Sequence, residues 1–89
     1  MAVQIQLTLV IRNGCHLCDA AQADLARVIG RFTSEHPDVD YHVAVVDIND
    51  QVDYHRFTDE VPVLLLNGKQ VSFWRIDEER AFQQLEALL

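Results

Sequence analysis

The sequence predicts an α/β protein built on a four-stranded mixed sheet, with its elements in the order βαβαββα. Three observations carry that prediction. An alternating apolar segment runs into one whose apolar residues recur every three to four positions. A second alternating segment follows that helix, and an Asn-Gly pair then joins two further extended runs ahead of a capped closing helix. Strands separated by a helix pair in parallel through a right-handed crossover, whereas a two-residue Asn-Gly link demands antiparallel neighbours. The sheet is therefore mixed, with helices expected on both faces.

The first strand is expected from Val3 to Ile11. Val3, Ile5, Leu7, Leu9 and Ile11 share one face, separated by Gln4, Gln6 and Thr8 until Val10 breaks the alternation. Asn13-Gly14 ends the strand. In the helix that follows, Leu17, Ala21, Leu25, Val28 and Phe32 fall on one face, and Ile29 widens the stripe. Thr33 to Asp38 closes the helix, because Pro37 disfavours helical geometry at His36. The second strand alternates Val39, Tyr41, Val43 and Val45 with Asp40 and His42. Ala44, Val46 and Ile48 then make both of its faces apolar, as in a strand covered from two sides. Asn49-Asp50 is expected to cap a short helix from Gln51 to Phe57, whose apolar face is ragged. Val61 to Leu66 reads as a central strand opening at a proline, and Asn67-Gly68 turns the chain into Lys69 to Trp74. Asp77 caps the last helix, with Glu78 and Glu79 favourably placed against its N-terminal dipole. Its buried stripe is Ala81, Phe82, Leu85, Leu88 and Leu89.

Eighty-nine residues, 49% of them hydrophobic, are enough for one domain with a small core, spanning residues 1–89. Seven Lys plus Arg against fourteen Asp plus Glu leave a net charge of −7, which repels polyanions, so no nucleic acid partner is expected. No apolar run approaches the roughly 18 to 20 residues of a membrane span, so no membrane partner is expected either. The N-terminus has neither the basic region nor the apolar stretch of a secretory signal, which makes the cytoplasm the expected location; a monomer is the expected state.

The chain's two cysteines sit in Cys15-His16-Leu17-Cys18, between the first strand and the first helix. A thiol at a helix N-terminus meets unpaired N–H groups and the positive end of the helix dipole, both of which favour thiolate. Cys15 is thus the expected nucleophile. One helical turn brings Cys18 back to it as the resolving thiol. His16, when protonated, would further stabilise the Cys15 thiolate and make the disulfide more oxidising. Three other readings stand beside this one. The pair could be core packing or a static disulfide, although thiols in a cytosolic protein are normally kept reduced. It could also belong to a zinc site, but that needs more ligands than one CxxC, and His36, His42 and His55 lie on different elements, so no metal is expected. The dithiol cycle needs no cofactor.

The order of elements, with Cys15-His16-Leu17-Cys18 after the first strand and Val61-Pro62 opening the third, resembles the thioredoxin fold and, more narrowly, a glutaredoxin-like protein. The resemblance implies a three-layer fold with the sheet in order 2-1-3-4. It also implies a cis peptide bond at Val61-Pro62, beside the cysteines, where substrate binds in extended form. Arg12 matches the basic position that meets a glutathione carboxylate, so glutathione is a candidate co-substrate. Phe73-Trp74 stands where the family has a Gly-Gly turn, with Trp74 either packing or lining the substrate groove. Asp77 is either a helix cap or an acidic partner for the glutathione amino group. Leu9 replaces the buried acid of thioredoxin, leaving Asp19 as a candidate proton acceptor.

The resemblance thus implies a thiol-disulfide oxidoreductase acting on protein or low-molecular-weight disulfides. The alternatives are a non-catalytic peptide-binding module and a glutathione-linked carrier of an iron–sulfur cluster.

Overall fold

The computed structural model describes residues 4–89, so the expected contribution of Val3 to the first strand lies outside the described residues. The elements are β1 (Gln4–Ile11), α1 (His16–Glu35), β2 (Asp40–Asp47), a 3₁₀ segment (Val52–Phe57), β3 (Val63–Leu66), β4 (Lys69–Phe73) and α2 (Glu78–Glu86). The sheet runs β2-β1-β3-β4, with β1 and β2 parallel and the other neighbours antiparallel.

Strand alternation decides what each face buries. Leu7 stands opposite Leu66 and Leu9 opposite Leu64, so these four side chains share a face. With Ile5 they pack under both helices, against Leu25, Val28 and Phe32 of α1 and Ala81, Phe82 and Leu85 of α2. The other face carries Val10, Val63 and Leu65, which cluster with Ile48, Phe57, Val61 and Cys18. β1 is thereby buried on both sides, and the residues that follow it start from a rigid base.

The hairpin forms as its sequence requires. Asn67 (φ 51) and Gly68 (φ 83) both have positive φ, the geometry whose twist suits a two-residue turn between antiparallel strands. Asn67 also exchanges two 2.8 Å bonds with the backbone of Gln6, tying the turn to β1. Leu64 pairs with Ser72 but Leu65 with Gln70, which leaves Val71 as the extra residue of a bulge.

Four expectations are corrected. Leu17 is 50% exposed, and α1 instead buries Cys18 in line with Ala21, Leu25, Val28 and Phe32. At about 100° per residue the two lie about equally far from the centre of that stripe, on opposite sides, and Cys18 is the one buried because it packs with Val10, Ile48, Phe57 and Val61. Leu88 and Leu89 lie past the end of α2 and are exposed. The helix expected over Gln51 to Phe57 is a 3₁₀ segment from Val52, and Asn49-Asp50 does not cap it, since its N-cap is Gln51 with no side-chain bond. β2 is an edge strand, so Val45 stays 49% exposed although it lies on the α1 side beside Val43, Leu25 and Ile29, while Ile48 just beyond the strand is buried with Phe57.

Candidate functional site

Four residues link β1 to α1, and the geometry of that link sets the cysteines. Gly14 takes φ 77, a left-handed conformation open to glycine without a steric penalty, and turns the chain into the helix. Cys15 then stands at the N-cap, where its Sγ accepts a 3.1 Å hydrogen bond from the Cys18 N–H. An N-cap acceptor is normally a Ser, Thr, Asp or Asn oxygen; here sulfur fills that place. Cys15 is partly exposed and Cys18 is 1% exposed behind it, and both are free thiols.

Cys18 Sγ accepts from the Arg12 N–H at 3.5 Å and is otherwise surrounded by Val10, Ile48, Phe57 and Val61. Burial pushes its thiol up to about 11; the Cys15 sulfur adds to that rise and the Arg12 N–H opposes it. The nearby Asp19 charge raises it further, and Leu9 faces the opposite side of the sheet. Asp19 is exposed on the first turn of α1, where its N–H continues the helix by donating to Cys15 O at 3.3 Å. His16 is exposed at the first helical position and hydrogen-bonds neither thiol among the described residues.

The Val61-Pro62 bond is cis, and both residues are buried. Val61 shares a cluster with Cys18, against which Cys15 packs, so the turn lies beside the thiols as expected. Some of the polar groups around it are engaged internally. Arg12 Nη2 donates to Thr58 O at 2.6 Å, bridging the cysteine loop to the segment before the turn. Val61 N–H donates to Phe57 O at 3.1 Å. Asp77 Oδ1 accepts from Arg80 N–H at 3.1 Å, which gives it the helix-cap role.

Asp47 was not singled out from sequence. From the end of β2 its Oδ2 accepts from Asn13 N–H at 3.1 Å and its Oδ1 from Asn49 N–H at 2.8 Å. It thus fixes the turn that delivers Cys15. An aspartate at a strand end carries no local mark of this role, because its partner is 34 residues away in the chain. Among the described residues, no group of three or more His, Cys, Asp or Glu could hold a metal ion.

A CxxC pair at the N-terminus of α1, on a mixed sheet of this order and beside a cis-proline turn, defines a thioredoxin-fold protein. Solved structures agree on the fold. Fasciola hepatica thioredoxin is similar at a TM-score of 0.53 and 17% identity, over 99% of this chain and 84% of its own. A Staphylococcus aureus protein of unknown function gives 0.69 at 12% identity, covering 94% and 90% of the two chains. An X. campestris protein gives 0.66 at 30% identity over 91% and 96%. The family model for the glutaredoxin-like domain (DUF836) matches residues 6–86, and the chain belongs to that family. An uncharacterised protein of Mycobacterium tuberculosis is 32% identical over 75 residues, 84% of this chain and 76% of the relative. A Dictyostelium discoideum protein named as glutaredoxin-like is 29% identical over 91 residues, 96% and 79% of the two. A redox-related function follows from the family and the fold.

Proposed function

We propose that the protein is a small thiol-disulfide oxidoreductase working through a Cys15/Cys18 cycle. One observation carries the reading: Cys15 Sγ sits at a helix N-cap within 3.1 Å of the Cys18 N–H, partly open to solvent, with the Cys18 thiol buried one turn behind it. The Cys15 thiolate attacks one sulfur of a substrate disulfide. That S–S bond breaks, the other substrate sulfur leaves as a thiolate, and Cys15 is joined to the substrate in a mixed disulfide. Cys18 gives up its proton and attacks Cys15 Sγ, so that the Cys15–Cys18 bond forms and the second substrate thiolate leaves and is protonated. Two electrons pass to the substrate, and a dithiol reductant restores the pair. Exposed donor and buried resolver give the two thiols separate tasks, and no metal or organic group takes part in either exchange.

The test is an equilibrium titration in glutathione redox buffers, acid-quenched and read by intact mass. A reversible internal disulfide is expected, together with loss of turnover in Cys15→Ser and a trapped mixed disulfide in Cys18→Ser. Full activity in Cys15→Ser, or no internal disulfide at any buffer ratio, overturns the reading.

A further inference from the structure

The two cysteines draw their hydrogen bonds from different elements. Cys15 Sγ takes its donor from within α1, the Cys18 N–H, whereas Cys18 Sγ takes the Arg12 N–H of the loop that leaves β1. The resolving thiol therefore depends on how that loop is held.

The end of β2 holds it at two consecutive peptide groups. Ile48 N–H donates to Ile11 O at 2.9 Å, and because the C=O and N–H of a trans peptide point opposite ways, this turns the Arg12 N–H toward Cys18. The next amide, Asn13 N–H, donates to Asp47 Oδ2 at 3.1 Å. Asp47 stands opposite Ile11 in the β1–β2 register, and its Oδ1 accepts from Asn49 N–H at 2.8 Å, so the carboxylate is itself anchored. Neighbouring amides of one loop thus reach the Asp47 carboxylate and the Cys18 sulfur.

Cys18 has little other help. Leu9 faces the opposite side of the sheet, and the Arg12 guanidinium is turned to Thr58 O. The titratable groups around Cys18 are Cys15 and Asp19 of α1, which both disfavour its thiolate, and Tyr54 of the 3₁₀ segment, which packs against its cluster. Against these, the Arg12 N–H favours the thiolate.

We propose that Asp47 is a positioning residue for the second thiol exchange, holding the Arg12 N–H on Cys18 Sγ as charge develops there. This deepens the oxidoreductase reading and rests on it. In that exchange the Cys18 proton passes to solvent and Cys18 Sγ bonds to Cys15 Sγ. The Cys15–substrate bond breaks, and the released substrate thiolate takes up a proton. The cysteine pair is oxidised and the substrate reduced by two electrons. Cys15, whose donor lies in α1, is untouched by the loop's amides.

The test follows a single turnover of the reduced protein with hydroxyethyl disulfide, acid-quenched and read by intact mass, so that formation and decay of the mixed disulfide are separate rates. In Asp47→Ala, decay to the internal disulfide is expected to slow by roughly three- to tenfold while formation changes by less than about twofold. Asp47→Asn keeps one acceptor oxygen and is expected to fall between. Unchanged decay, or equal slowing of both steps, overturns the proposal. A titration supplies the sign. In Cys15→Ser the Cβ carbon resonance of Cys18 reports its ionisation, and adding Asp47→Ala is expected to move that ionisation to higher pH. Looser packing around Cys18, or loss of the carboxylate charge alone, would move it to lower pH, and that result or no shift overturns the proposal. Should Asp47→Ala fail to fold, amide exchange decides. The Arg12 N–H is expected to be protected in the reduced wild type and several-fold less so in Asp47→Asn; an unprotected wild-type amide, or unchanged protection, overturns the proposal. Absence of any mixed or internal disulfide in the wild type would instead defeat the oxidoreductase reading, on which neither the titration nor the exchange depends.

Discussion

Cys18 is held as a neutral thiol by the apolar side chains around it, and that has consequences for stability and for rate. Its ordinary value of 9.0 is raised to about 11, first by burial. An unfolded chain loses this proton first, so between those two values the folded state binds more protons and stability falls as pH rises. Below that window the group contributes no slope. Urea titrations of the reduced protein across the window are expected to show the decline in the wild type and a smaller one in Cys18→Ala; equal declines would mean that Cys18 is not the group concerned. In the proposed cycle the same property makes resolution the pH-dependent step. Its rate is expected to rise about tenfold per pH unit with the thiolate fraction until Cys18 titrates. Asp47 acts at this scale too, binding two backbone N–H groups so that Asn13-Gly14 meets α1 at a fixed angle.

Between elements, the contact that holds the site's helix in place is the packing of α1 on α2. Phe32 and Phe82 meet edge to face with centroids 6.2 Å apart, and the Arg31 guanidinium lies 3.8 Å from the Phe82 ring centre. Around them Arg27 pairs with Glu78, Arg31 with Glu79, and His36 with Glu86. These pairs are solvent-exposed and add little next to the buried rings. Phe82→Ala is expected to cost about 3 to 5 kcal/mol, a large share of a small domain's stability, and Phe82→Leu less than about half of that. Urea unfolding of the two variants measures the difference, and a loss below about 1 kcal/mol for the alanine would show that α2 is not docked through this ring.

For the whole molecule, the two buried clusters lie on opposite faces of one sheet and share β1 and β3, so neither is expected to survive loss of the other. Trp74 is the chain's one tryptophan and lies next to the cis-proline segment, so it reports on the site. Its fluorescence and the far-UV circular dichroism are expected to follow the same denaturant transition. An earlier fluorescence change would mean that the segment from Thr58 to Trp74 opens locally before the sheet does.

The alternation of β1, the Asn67-Gly68 turn, the Asp77 cap and the Cys15/Cys18 spacing are legible in the sequence because each depends on residues within a turn or two of one another. Sheet order and the cis bond entered through family resemblance, since local preference leaves both open. Only the tertiary structure decided that Leu17 faces out while Cys18 is buried, that the segment before Val61 is 3₁₀, and that Arg12 and Asp47 spend their polar groups bracing the site. Each of those outcomes depends on partners brought close by sheet pairing across long stretches of chain, and periodicity carries no information about contacts at that separation.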